Sequence, residues 1–296
     1  MPDHARIAAD LNGQPDLYTL LHRAAATEGP LDLAILYDAL DAATAARLAQ
    51  ADQGLVRAIL RAGAGLSPVA AAPAIFAHLE SCTPAPLFLP EIAAGASLAL
   101  PTDGQHPDMP VFSDPDFDAW FAQKQVTYGL GLYGESRSVY ATDQFADAAS
   151  PQRRTVHLGV DVFARSGTPV HAPLPGKVLH LTYNADPLDY GNTLILQHQA
   201  GPVPFFTLYG HLGGSLPKLL QTGDSVAQGQ LIAHLGDWPE NGGWAPHLHF
   251  QVMTTMLEQT GGNFFGVGHA GLWPVWQTIC PDPNLLLRLE TSRFRL

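Results

Sequence analysis

Residues 154–162, with the sequence RTVHLGVDV, alternate apolar side chains with polar or small ones and predict an extended strand. On such a strand His157 and Asp161 point to the same face, because side chains alternate with a period of two residues. A second stretch roughly ninety residues further on, PHLHF at 246–250, places His247 and His249 on one face in the same way. A helical reading of the first stretch is possible by spacing, but its β-branched residues and the nearby Gly159 and Gly167 argue against a helix.

Two such strands lying side by side would let His157, Asp161 and His249 bind one Zn²⁺, since imidazole and carboxylate groups are ligands that zinc accepts. Three protein ligands leave a fourth position for water, which is typical of a catalytic rather than a structural zinc site. The alternative is that some of the 13 histidines form close pairs by chance. Both motifs lie in stretches where apolar residues alternate with polar or small ones, and this favours a metal site over chance pairing.

Five further blocks lie between the two motifs: GTPVHAP (167–173), GKV (176–178), YGN (190–192), LYGHL (208–212) and GDSVAQGQ (223–230). In these seven blocks, from about 154 to 252, the chain resembles the lysostaphin/LytM-type family of zinc peptidoglycan endopeptidases, whose domain contains a duplicated hybrid motif. The resemblance is specific because all seven blocks occur in the right order.

The resemblance implies a role for each of five residues. His157, Asp161 and His249 match the family's zinc ligands, with one ion per chain, and His211 and His247 match its two catalytic histidines. We expect His247 to be the general base, because it lies two residues from a ligand on the same face. His211 would then stabilise the oxyanion or protonate the leaving amine, although the sequence does not order the two roles.

Four further residues are predicted to contact the substrate: Tyr190, Asn192, Arg137 and Trp244. Arg137 would bind a substrate carboxylate, with an exposed structural arginine as the alternative. The loop 236–246, GDWPENGGWAP, departs from the short Gly/Ser/Thr-rich run of the family and brings two tryptophans and an acidic pair to the cleft.

The implied function is hydrolysis of peptide bonds, in peptidoglycan cross-links or wall-derived peptides. One alternative is a peptidase-like regulatory or binding protein without turnover, a class normally marked by lost ligands, and none is lost here. A zinc hydrolase acting on a non-wall amide is a variant of the first reading. A lipoyl- or biotinyl-type domain shares the Gly-x-x-Val pattern, but no lysine stands where those domains carry their modified one.

Composition limits partners and location. The 296 residues carry a net charge of −12, which is unfavourable for binding nucleic acid. No run approaches the 18 or so apolar residues needed to span a bilayer. The N-terminus lacks a basic segment followed by an apolar core, so the sequence predicts no signal peptide and a cytoplasmic location, or a periplasmic or extracellular one if the true start lies upstream. The oligomeric state is not indicated.

The fold class is predicted as α+β and mainly β. An Ala- and Leu-rich region at 1–83 indicates a helical N-terminal domain, and 84–118 is predicted to be a Pro-rich linker. Residues 119–260 are predicted to form an antiparallel β-sandwich or barrel-sandwich-hybrid peptidase domain, with a hairpin at 127–145 on the cleft edge. The tail 261–296 is predicted to pack back on that domain.

Overall fold

The computed structural model describes residues 2–101, 108–140 and 142–295. Its first part is helical, and each of the first five helices begins after an aspartate whose carboxylate accepts a hydrogen bond from a backbone N–H of the first turn. Such caps satisfy amide groups that the helix itself cannot pair. The helices are α1 (His4–Leu11), α2 (Leu17–Glu28), α3 (Leu33–Ala39), α4 (Ala42–Gln50), α5 (Gln53–Gly63), α6 (Ala72–Ser81), α7 (Asp116–Gln123), α8 (Leu216–Leu219), α9 (Trp273–Ile279) and α10 (Asn284–Leu287).

The rest of the chain is dominated by short strands. These are β1 (Ser97–Leu100), β2 (Tyr128–Gly131), β3 (Val156–His157), β4 (Val160–Phe163), β5 (Pro169–His171), β6 (Gly176–Asn184), β7 (Gly191–Ala200), β8 (Val203–Leu212), β9 (Ser225–Val226), β10 (Leu231–His234), β11 (His247–Met253) and β12 (Val267–Gly268). Four 3₁₀ turns lie at Ile92–Ala94, Asp143–Phe145, Ala270–Leu272 and Thr291–Phe294.

Eight strands form one sheet in the order β1-β2-β4-β11-β8-β7-β6-β9, and β5–β10 and β3–β12 form two smaller antiparallel pairs. The predicted class, N-terminal helices followed by mainly antiparallel β-structure, is confirmed. Two details differ from the expectation. The large sheet is mixed, because β1 runs parallel to β2, and it is open rather than closed into a barrel.

The segment predicted as a linker, 84–118, contains regular structure. It includes β1, which belongs to the large sheet, and the start of α7. Its residues 102–107 lie outside the described part of the chain. The many prolines of this segment led to the prediction of a linker. Pro90 and Pro101 lie outside β1, however, so they do not interrupt its hydrogen bonds. The division of the chain into four domains stays a prediction.

The hairpin predicted at 127–145 is wrong. Strand β2 enters the large sheet between β1 and β4, and the chain then turns at Gly134, whose φ is +74°. Beyond the turn it runs along β3, where Ser136 forms an isolated bridge with Val156. Residue 141 lies outside the described residues.

The central strands β2, β4 and β11 of the large sheet are buried on both faces, whereas β6 and β9 at one edge are partly exposed. One face carries Leu196 and Phe250 and packs against α6. The opposite face carries Ile195 and Leu208 and shares a core with α1–α5 and α9. His247 and His249 of β11 also point to this second face. Helices α1–α5 and α9 therefore pack on the same side of the sheet as the candidate catalytic and metal-binding side chains.

Among the described residues, none of the helices is both long enough and apolar enough to cross a membrane.

Candidate metal centre and active site

The two predicted motifs lie on neighbouring strands. Strands β4 and β11 are antiparallel partners, and His249 stands opposite Asp161 on one side and Gly210 on the other. The expectation of one continuous strand over 154–162 is wrong, because the chain leaves β3 after His157 and enters β4 only at Val160. β3 pairs with β12, whereas β4 pairs with β2 and β11.

Three atoms converge where these strands meet. The Nε2 atom of His157 lies 3.0 Å from Nδ1 of His249 and 3.3 Å from Oδ1 of Asp161, and that oxygen lies 3.1 Å from Nδ1 of His249. Zinc binds nitrogen and oxygen ligands at about 2.0–2.2 Å, so two tetrahedral ligands stand about 3.3–3.6 Å apart. The three observed separations lie at or just below this range, so the three atoms can share one zinc ion.

The hydrogen bonds on the far sides of the two rings assign their protons. Nδ1 of His157 donates to the carbonyl oxygen of Leu132 at 2.8 Å, and Nε2 of His249 donates to Oε1 of Gln251 at 2.9 Å. The ring nitrogens that face Asp161 are then lone-pair acceptors. Three acceptors that lie within hydrogen-bond distance with no proton between them repel one another, so this arrangement favours a cation at their centre.

Burial keeps the site in its metal-binding protonation state. The pKa of His157 falls to about 4, because burial disfavours the charged ring and the Arg137 guanidinium repels it. Burial alone would raise the pKa of Asp161, but nearby His157 and Arg137 hold it well below its ordinary value. Neutral imidazole and ionised carboxylate are the forms that ligate zinc.

The two candidate catalytic histidines lie beside these ligands. The rings of His211 and His247 have centroids 4.2 Å apart, and Nε2 of His247 lies 3.9 Å from Oδ1 of Asp161. Each ring donates its Nδ1 proton to a backbone carbonyl at 2.7 Å, that of Asn241 for His211 and that of Ala245 for His247. Both Nε2 atoms are therefore free to accept a proton.

Burial lowers the pKa values of both rings. That of His247 falls to about 4, and that of His211 falls well below its ordinary value, with the neighbouring His247 as a further cause. Both are then neutral near pH 7, as a general base must be before it takes a proton. His211 also has a φ of +63°, a conformation that non-glycine residues adopt mainly where the surroundings impose it.

A cavity of about 310 Å³ opens over this group. Three of the four predicted substrate residues, Arg137, Tyr190 and Trp244, line it. Asn192 does not, and its side-chain amide donates to the carbonyl of Glu240 at 3.2 Å. Arg137 lies against Asp161 with 3% of its side chain exposed, so the alternative of an exposed arginine is wrong.

Several supporting groups were missed from the sequence. Gln251 was within reach, because the period of two that links His247 to His249 also brings Gln251 to that face. The hydrogen bonds to the backbone carbonyls of Leu132, Ala245 and Asn241 could not be predicted from the sequence, because every residue type has such a carbonyl.

Residues 155–260 match the family model described as Peptidase family M23. A Haemophilus influenzae protein named an uncharacterized metalloprotease is 37% identical over 141 residues, which cover 45% of this chain and 27% of that protein. The peptidoglycan DD-endopeptidase ShyC of Vibrio cholerae is 35% identical over 103 residues, covering 35% of this chain and 21% of the relative. The solved catalytic domain of the antimicrobial peptidase lysostaphin from Staphylococcus simulans is 28% identical, with 45% of this chain and 80% of that chain covered and a TM-score of 0.32.

The resemblance inferred from the sequence blocks is confirmed by these matches. Metallopeptidases of this family use zinc, and the His157, Asp161 and His249 group fits that metal. The chain spans about a quarter of the length of the curated relatives that it matches.

Proposed function

We propose, from the peptidase family M23 domain that residues 155–260 form, that this protein is a zinc metalloendopeptidase. The observation that carries the proposal is the convergence of three proton-free ligand atoms, from His157, Asp161 and His249, beside two neutral histidines. A ligand set without a proton and an adjacent base are the parts that metal-assisted hydrolysis needs.

The mechanism follows from the side chains around the metal. His157, Asp161 and His249 would hold Zn²⁺, which would supply a Lewis acid for the scissile carbonyl and lower the pKa of a water molecule. His247 accepts the proton of the attacking water at Nε2, because this atom lies 3.9 Å from Oδ1 of the ligand Asp161 and its Nδ1 is committed to Ala245. His211, with Nδ1 fixed by the carbonyl of Asn241, also presents a proton acceptor at Nε2, and it can stabilise the oxyanion or protonate the leaving amine only after that atom has taken up a proton.

The proposed substrate class is peptidoglycan or peptides derived from it. This choice rests on the Vibrio cholerae relative, which is named a peptidoglycan DD-endopeptidase. We propose Tyr190 and Trp244 as contacts for the peptide, since both present apolar rings to the cavity next to the catalytic histidines.

Metal analysis and cleavage assays test this proposal together. Protein purified without added metal is expected to contain about one zinc ion per chain by elemental analysis, and His249→Ala should lose it. Purified peptidoglycan and defined peptides, incubated with the protein and read by mass spectrometry, should yield products from the wild type. His247→Ala should keep the zinc and lose at least roughly 100-fold in rate, in line with removal of a general base.

His234→Ala is the matched control, because it removes an imidazole on β10 that lies outside the cavity lining. It should match the wild type in zinc content and rate. Retention of zinc by His249→Ala would remove that residue from the ligand set. Bound zinc without cleavage of any tested substrate would instead support the alternative of a peptidase-like regulatory or binding protein without turnover.

A further inference from the structure

We infer that Arg137 is a positioning residue that fixes the Asp161 carboxylate so that only Oδ1 faces the zinc site. This inference rests on the proposed zinc function. Arg137 itself lies outside the segment 155–260 that matches the family model.

The guanidinium of Arg137 is buried among partners that neutralise its charge. Its Nη2 lies 2.7 Å from Oδ2 of Asp161, and 3% and 1% of the two side chains are exposed. Its Nε lies 3.6 Å from the Glu135 carboxylate, and Nη1 lies 3.4 Å from the Tyr140 hydroxyl. The face of the guanidinium stands 5.9 Å from the ring centre of Phe112. A charge so deeply buried persists only with such compensation.

The two oxygens of Asp161 thus have separate tasks. Oδ1 lies 3.3 Å and 3.1 Å from the inward nitrogens of His157 and His249, whereas Oδ2 lies beside Arg137. A carboxylate held by only one oxygen rotates about its last bond and can offer a metal either oxygen or both. A positive group on Oδ2 removes that freedom and leaves one oxygen for the ion.

The local chain is built around this pair. Gly131 stands opposite Asp161 in the β2–β4 register, and a Cβ there would lie 3.0 Å from Nη2 of Arg137 and 3.1 Å from Cβ of Asp161. Glycine therefore leaves room for the ion pair. The backbone N–H of Arg137 donates to the carbonyl of Thr155 at 2.9 Å, which ties the residue to the start of β3.

The same segment also supports the His157 ligand. The carbonyl of Leu132 accepts the ring proton of His157, and the backbone of His157 pairs with Gly134 and Glu135 at 2.9 Å each. Residues 131–137 therefore hold two of the three proposed ligands, one through a carbonyl and the other through a guanidinium.

The test measures metal binding directly, by competition with a chromogenic chelator, and the coordination geometry, by the visible absorption of the Co²⁺-substituted protein. Arg137→Gln is expected to weaken zinc binding by roughly 10- to 100-fold, the usual effect of removing a group that orients a ligand. It should also shift the Co²⁺ bands. Arg137→Lys, which keeps the charge without the planar fork, should fall between this variant and the wild type.

Arg154→Gln is the matched control, because Arg154 is another largely buried arginine whose guanidinium bonds the carbonyls of Gln144 and Ala146 and no proposed ligand. Its zinc affinity and Co²⁺ spectrum should equal those of the wild type. Circular dichroism checks that each variant folds. If Arg137→Gln does not fold, Arg137→Lys decides the question.

Wild-type zinc affinity together with an unchanged Co²⁺ spectrum in the folded Arg137 variants would overturn the inference. Failure of the wild type itself to bind zinc would instead refute the proposed function. The two failures are therefore distinguishable.

Discussion

Gly159 keeps open the space that the His249 ring occupies. A Cβ at this position would lie 2.7 Å from Cε1 and 2.8 Å from Nε2 of that ring, closer than van der Waals contact permits. The glycine that interrupts the predicted strand 154–162 is therefore part of the metal centre, in addition to breaking the strand.

Gly159→Ala is expected to weaken zinc binding by at least roughly tenfold, because the new methyl group displaces the His249 ring from the position that Gln251 holds. Zinc affinity by chelator competition measures the effect. Gly201→Ala is the control, since Gly201 has a φ of +61° and no atom within 4 Å of the added Cβ. It should lower the free energy of unfolding by about 1 kcal/mol and leave zinc binding unchanged. Equal zinc affinities for the two variants would contradict this account of Gly159.

The sequence predicted which histidine and aspartate side chains come together, but not which groups hold them in position. A period of two placed His247 and His249 on one face, and the pairing of Asp161 with His249 followed from two adjacent strands. The role of Arg137 was not predictable, because it depends on a turn that brings 131–137 alongside β3. That turn has little local signal beyond Gly134.

Asp52 joins a helix of the N-terminal region to a loop that follows β11. One of its oxygens caps α5 by accepting from the N–H of Leu55 at 2.9 Å. The other accepts from the side chain of Gln259 at 2.8 Å and from the N–H of Glu258 at 3.2 Å. The aspartate therefore acts both within its own helix and between distant parts of the chain.

Asp52→Ala is expected to lower the free energy of unfolding by about 2–3 kcal/mol, because it removes a helix cap and two longer-range hydrogen bonds. Asp41→Ala is the matched variant, since Asp41 caps α4 through Thr44 at 2.7 Å and its carboxylate makes no bond to the peptidase region among the described residues. Its loss of stability should be clearly smaller than that of Asp52→Ala, because only a helix cap is removed. Denaturant unfolding monitored by circular dichroism compares the two, and equal losses would show that the contacts with 258–259 add nothing.

Helices and strands could be predicted from the sequence where neighbouring residues alone mark them. An aspartate before an apolar-periodic run marks the start of a helix, as at Asp41 and Asp52. Strand β1 was not predicted, because four residues between prolines carry little periodicity and their pairing partner, Tyr128–Gly131, lies about thirty residues away.

At the scale of the whole molecule, burial of neutral histidines makes the folded state sensitive to acid. His198 lies 2% exposed between the carbonyl of Pro175, to which Nδ1 donates, and the hydroxyl of Thr207, from which Nε2 accepts, each at 2.8 Å. Burial lowers the pKa of His198 from 6.5 to about 4, and the nearby His78 adds to the shift.

The free energy of unfolding is therefore expected to fall as the pH drops from about 6.5 to about 4. The unfolded chain binds the proton below pH 6.5, whereas the folded protein resists it until about pH 4, so this contribution is complete above the first value and lost towards the second. A shift of this size corresponds to at most about 3–4 kcal/mol. Denaturant unfolding across this pH range, with a chelator present, measures the loss.

His198→Gln, which stays neutral throughout, should show a shallower decline than the wild type. His22→Gln is the control, because His22 is exposed on α2, and it should follow the wild-type curve. Parallel curves for His198→Gln and the wild type would show that this histidine does not contribute to the acid sensitivity.

Strand β11 lies inside the sheet, with β4 on one side and β8 on the other, and its odd-numbered residues 247, 249 and 251 share the face of the active site. A slip of one residue would replace both histidines on that face by Leu248 and Phe250. Molecules with such an error could not retain the metal, however compact they were. The molar ratio of tightly held zinc to polypeptide is therefore a count of correctly assembled molecules in any preparation of this protein.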